Sequence, residues 1–277
     1  GQSGRLIATA LHPGKTPTAK AILGILRRVV KKLRQVWPRL PLIFRADGHH
    51  SKPEVIAWLE REGLDYVIGY APNAVLKRQF ANCLSEASKR YERHVKEGRA
   101  EIEARTFASG SYSAGSWGGK ARRIICRAIA GPNGVDERFI VTSFEQAGAR
   151  KLYETIYCGR GRAELYIKDH KLGLVSDRLS CTRKEGNAMR LLCSSLAYQV
   201  LEGFRRIALC GTKLARATFG QVRLKLFKLA ARVRVMRTRV EVHLASKHPG
   251  SALVAQILGQ ALHVLTPRTA GSAPGSG

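Results

Sequence analysis

Apolar positions along this chain follow two periods, one near 3.6 residues and one of 2, and their order predicts an α/β architecture. The run RLIATAL predicts a short strand over residues 6–11, ended by HPGKTP. Ile22, Ile25, Val29 and Leu33 then recur at helical spacing, predicting an amphipathic helix over 18–36. PLIFRAD, after Pro41, is a compact apolar run ending in Arg45 and Asp47, and it fits a strand of a sheet covered on both faces. SKPEVIAWLEREG has start signals in Ser51 and Pro53 and a stop in Gly63, so it reads as a helix with Trp58 on its apolar face. DYVIGY is the next strand, and a helical stretch follows to about residue 98.

From about 99 to 144 the texture changes. ARRIICRAIA, the GPNG turn and RFIVTSF predict antiparallel strands joined by tight turns. Helices return from 146 to about 209, where NAMRLLCSSLAYQVLEGFRR is apolar nearly all round and is expected to be buried. RVRVMRTRVEVHL alternates again and predicts a cationic two-stranded element. The closing TPRTAGSAPGSG has too little apolar content to order itself.

Charge changes the picture. The chain of 277 residues has a formal charge of +28 and 44% hydrophobic residues, so it can bury a core while presenting a strongly positive surface. A polyanionic partner is the first expectation, and DNA or RNA is simpler than a membrane because no run of eighteen apolar residues or signal-like start occurs. The six cysteines form no C-x-x-C pair, which argues against a zinc ribbon or a disulfide framework. Both methionines are internal, so the chain reads as a portion of a longer reading frame.

The segment YCGRGRAELYIKDHK, residues 157–171, carries the candidate chemistry. At about 100° per residue, Tyr157, Arg160, Glu164, Lys168 and Lys171 fall within a sector of roughly 80°. A row of cations can hold a phosphate backbone while a carboxylate among them holds a divalent metal. Read blandly, Glu164 and Lys168 are an i,i+4 pair on a solvated helix, worth about 0.2–0.5 kcal/mol. Gly159 and Gly161 weaken the helix, which is expected to bend or begin near Arg160.

The spacing Y-x-x-R-x-x-x-E-x-x-x-x-x-x-K, met at Tyr157, Arg160, Glu164 and Lys171, resembles the motif around the last catalytic acid of a branch of bacterial insertion-sequence transposases. LIFRADGHHSKPEVIAWLEREGLDYVIGYAPNAVL is similar to the second-aspartate region of the DDE group 1 transposases, and FGQVRLKLFKLAARVRVMRTRVEVHLASKHP to their C-terminal segment. The resemblance implies a ribonuclease-H-like mixed sheet with flanking helices and a β-rich insertion between the second and third acids. It implies Asp47 and Glu164 as catalytic ligands of Mg²⁺ or Mn²⁺, Arg160 and Lys171 on phosphate, and Tyr157 positioning the terminal nucleotides. Lys168 joins the DNA-binding set by geometry alone. The implied organisation is a catalytic-core part over 5–98, the insertion over 99–145, core helices over 146–210, a basic segment over 211–265 and a disordered tail over 266–277.

The same resemblance implies Mg²⁺-dependent DNA strand cleavage and strand transfer, by a nucleoid-associated cytoplasmic bacterial protein that forms a homodimer on DNA. The family pattern also has a first Asp on an early strand, whereas no acid precedes Asp47 here. The chain is therefore expected to be the C-terminal portion, incomplete as a catalyst. Two other readings compete: an inactive DNA-binding remnant of a truncated element, and an RNA-binding protein. His49 and His50 are expected to be a loop dipeptide, with metal ligation as the alternative. For Trp117 in its glycine-rich loop, core packing outweighs DNA contact. Arg122 and Arg123 are expected to give general electrostatic footing on DNA.

Overall fold

The computed structural model describes residues 4–12, 14, 16–245 and 250–265. The chain forms two compact units, His12–Arg162 and Gly1–Leu11 with Ala163–Gly277. The expected tail, 266–277, lies outside the described residues.

In His12–Arg162 the first helix, α1 (Ala19–Val36), starts where the Thr18 hydroxyl accepts a hydrogen bond from the Ala21 N–H, and it buries Ile22, Leu23 and Val30. Strand β1 (Ile43–Ala46), helix α2 (Pro53–Arg61) and strand β2 (Asp65–Tyr70) follow, then α3 (Ala74–Gln79), α4 (Ala81–Lys96) and strands β3 (Ala104–Tyr112), β4 (Arg122–Gly131) and β5 (Gly134–Thr142). They form one five-stranded mixed sheet in the order β1-β2-β5-β4-β3. β1 and β2 are parallel, and the other pairs are antiparallel. The fold is thus mixed α/β, as the alternation predicts. The stretch 99–145 supplies three of the sheet's strands, with β4 and β5 joined across Pro132 and Asn133 so that Gly131 pairs with Gly134.

The central strands read as continuous apolar runs because both faces of the sheet are covered. Ile56, Leu59, Leu76 and Ala87 from the helices pack with Ile68, Ile124 and Val141. Val67, Ile125 and Ile140 instead meet Leu152 and Tyr153. β1 departs from this. The apolar run of PLIFRAD predicts burial on both faces, but β1 is an edge strand paired only with β2, and Ile43 is exposed. Ala46 and Phe44 still pack on the core, but the lateral edge of β1 is open because no strand flanks its outer side among the described residues.

Trp58 is core, as its helix face predicts. Trp117 is core too, against Tyr70 at 5.3 Å and Tyr112 at 5.6 Å, with the Arg122 guanidinium 4.8 Å from its ring. The expected electrostatic footing of Arg122 and Arg123 is overturned. Arg122, 5% exposed, donates through Nε and Nη2 to Glu60 at 2.7 and 2.9 Å, and Arg123 donates to the carbonyls of Phe144, Glu145 and Ala147. Both cations are consumed by the fold. Burial pushes the Glu60 carboxyl up, but hydrogen bonds from Arg122, Lys120 and Tyr66 outweigh it and lower the pKa to about 2.

In the other unit, α7 (Lys184–Ile207), α8 (Phe219–Val222) and α9 (Ser251–Leu265) gather Leu209, Leu214, Val222 and Ile257 into a small core. Asp169 accepts from Arg205 at 3.0 Å and from the Phe219 N–H at 3.1 Å, which ties α7 and α8 to the preceding turn. Residues 6–11 form no strand. They are held instead by Thr9 Oγ1 to Ser195 Oγ at 3.0 Å and by the Gln199 side-chain amide on the Leu6 carbonyl. α7 is not buried all round either. Ser195, Tyr198 and Glu202 face inward, while Met189, Leu192, Leu196 and Val200 are exposed, because the small core covers one face only. The predicted cationic pair is present as β6 (Ala231–Val235) and β7 (Val240–Leu244), antiparallel to each other.

Candidate active site

Asp47 follows the last residue of β1 and caps the 3₁₀ turn Gly48–His50. Its Oδ1 accepts from the His49 N–H at 3.1 Å and meets His50 Nδ1 at 2.9 Å. With 40% of the side chain exposed, the carboxylate is held in place yet open to solvent. Burial raises its pKa, but the hydrogen bond and charge of His50 and the His49 N–H prevail, and the group is held below the usual carboxylate range. His50 is therefore more than a loop residue: it orients the acid.

Two residues that sequence reasoning missed build the floor of this site. Gly69 on β2 lies under both the Asp47–Gly48 peptide and Tyr157: a Cβ there would stand 2.7 Å from Tyr157 Oη, 2.9 Å from the Gly48 N and 3.3 Å from the Asp47 carbonyl carbon. A glycine inside a strand signals close approach of another group, so DYVIGY did contain the clue. Arg45 on β1 donates through Nη1 to the Ile156 carbonyl at 2.9 Å, and a Cβ on Gly159 would come within 2.8 Å of that same nitrogen. Gly159 leaves room for this clamp between β1 and the Tyr157 turn. Tyr157 also packs on Tyr153 at 5.3 Å, and the Arg160 guanidinium lies 5.5 Å from the Tyr157 ring. Asp47 and Tyr157 thus converge on Gly69, and Arg160 stacks beside them.

The helical stretch that carries the motif is irregular. After α5 (Ala149–Lys151), Leu152–Tyr157 is π-helical, Cys158–Arg160 is 3₁₀, α6 spans Gly161–Lys168, and Asp169–Gly173 is π-helical again. The uniform rotation taken from the sequence holds only within α6, which begins next to Arg160 as the glycines predict. Glu164 and Lys168 are i,i+4 on α6 and both are exposed, whereas Lys171, also exposed, sits in the second π-helical turn. Tyr157 and Arg160 belong to the unit of Asp47; Glu164, Lys168 and Lys171 belong to the other unit.

Among the described residues, no three His, Cys, Asp or Glu side chains form a ready-made metal cage. The donors present are nonetheless of the right chemistry: an ionised, accessible carboxylate with both of its described bonds on Oδ1 suits a hard divalent cation such as Mg²⁺ or Mn²⁺. The sequence matches the family model described as transposase DDE domain group 1 over residues 1–265.

The chain belongs to the DDE group 1 transposase family. The resemblance drawn from the glutamate motif and the second-aspartate region is borne out at that level. Membership supports a transposase function, with phosphoryl transfer of the nuclease type, DNA as partner and the divalent cations that DDE transposases generally use. No helix among the described residues is long and apolar enough to cross a membrane. No curated protein matches the chain.

Proposed function

We propose that this DDE group 1 transposase chain carries the second and third acids of a Mg²⁺- or Mn²⁺-dependent DNA strand-cleavage and strand-transfer centre, Asp47 and Glu164, within a ribonuclease-H-like core. The observation that carries the reading is Asp47 itself: an accessible carboxylate at a strand end, fixed by His50, with Tyr157 and Arg160 gathered beside it. When bound, the cation supplies Lewis-acid polarisation of the scissile phosphate. His50 and the His49 N–H hold Oδ1 and so present the carboxylate in one orientation. Arg160, Lys168 and Lys171 neutralise phosphates near the cut end, and Tyr157 positions the terminal nucleotides. The residues' share of catalysis is positioning and charge stabilisation. The partners are insertion-sequence ends and target DNA, bound by a homodimer.

The competing reading is a DNA-binding remnant without catalysis. A nicking assay with Mg²⁺ and element-end DNA separates the two. Metal-dependent nicking lost at least a hundredfold in both Asp47→Asn and Glu164→Gln, with end binding kept within threefold, supports the catalytic reading. Binding without nicking by the parent chain supports the remnant, and equal nicking by the parent and both variants sinks the assignment of the two acids.

A further inference from the structure

Among the described residues β6 and β7 pair only with each other, and the alternation of their residues gives the ribbon two faces of opposite character. The register sets Arg232 opposite His243 and Arg234 opposite Glu241, with Met236 and Arg239 joined at the turn by a 2.8 Å backbone hydrogen bond. Those six residues share one face because side chains alternate along a strand. Ala231, Val233, Val235, Val240, Val242 and Leu244 share the other, where the four valines are 58–76% exposed.

An uncovered two-stranded ribbon is marginal in water, and here β-branched valines at every second position favour the extended backbone without a covering layer. That composition suits an element that must stand clear of the core. Its charge says what it meets. Arg232, Arg234, Arg237 and Arg239 stand against one acid, Glu241, which is taken by Arg239 at 2.9 Å and by His243 at 3.4 Å. Arg232, Arg234 and Arg237 have no ion pair among the described residues. A five-residue strand is about 17 Å long, and a two-stranded ribbon is of the width that the major groove of duplex DNA, about 12 Å across, admits.

We propose that the β6–β7 ribbon is a duplex-binding element that lies in the major groove with Arg232 and Arg234 on the phosphates of its walls. The proposal rests on duplex DNA being this transposase's substrate, and it concerns binding alone.

The test uses the full chain and a mixed-sequence duplex of about 30 base pairs in EDTA, so that cleavage has no bearing on it. In Arg232→Gln/Arg234→Gln the affinity falls at least tenfold at about 100 mM salt. The plot of log affinity against log salt becomes shallower by about 2, as loss of two phosphate contacts requires. Methyl green, a major-groove ligand, competes with the parent chain, whereas the minor-groove ligand netropsin does not. Val233→Thr/Val242→Thr keeps the β-branch and binds within threefold of the parent. Unchanged affinity and slope in the arginine variant overturn the proposal. So does competition by netropsin alone, and so does a loss in the valine variant as large as that in the arginine variant, which would make the apolar face a protein interface. Failure of the nicking assay with these results intact removes the acid assignment and leaves the ribbon standing.

Discussion

β4 and β6 are both arginine-bearing strands of alternating texture, RRIICRAIAG and ARVRV, and the fold uses their cations in opposite ways. In β4, Arg122 is sealed against Glu60 and under Trp117, Arg123 caps three carbonyls, and Arg127 pairs with Asp136. In β6, Arg232 and Arg234 stay in solvent. The same residue type is a structural cross-brace where a sheet is covered on both faces and remains open to solvent where neither face is covered. A count of arginines therefore overstates the DNA footprint of the first strand and says little about that of the second.

The sharpest break between the two strands is energetic. Glu60→Gln leaves the buried Arg122 guanidinium without its counter-charge, and a loss of about 3 kcal/mol is expected from chemical denaturation. A loss below about 1 kcal/mol would mean that Arg122 is not the brace described. Gly69→Ala extends the comparison to β2, another doubly covered strand. Its methyl group meets Tyr157 Oη and the Gly48 N within 3 Å, so overpacking of about 2 kcal/mol is expected together with loss of nicking. Wild-type stability in that variant would show that Tyr157 yields.

Acid titration gives a smaller and graded effect. The Glu60 carboxyl is lowered from 4.5 to about 2, so the unfolded chain takes up the proton first. Its stabilising contribution is complete above about pH 4.5 and is lost as pH falls toward 2. Stability measured against pH should decline across that window, with a flatter decline in Glu60→Gln. The smallest effect belongs to the ribbon: Arg232→Gln/Arg234→Gln should change stability by no more than about 0.5 kcal/mol, as for exposed positions elsewhere. A larger loss would erase the distinction between β4 and β6.

Much of this protein was legible from local pattern. Period and punctuation determined α1, α2, β2, the β4–β5 hairpin and the cationic ribbon, because helix caps, strand alternation and turn residues act over a few positions. The glutamate motif and the second-aspartate region were enough to place the chain among DDE group 1 transposases, since fixed residue types at fixed offsets survive without a structure. Long-range packing decided the rest. Whether the strand of PLIFRAD is central or at an edge depends on which strands flank it, and whether α7 is buried depends on how much core its unit assembles. That Arg122 belongs to Glu60, that Gly69 is the floor shared by Asp47 and Tyr157, and that Gly159 makes room for Arg45 are contacts between residues 62, 88 and 114 positions apart at their widest. Periodicity within one element contains no information about them, because only the closed sheet and the helices packed on it bring those groups together.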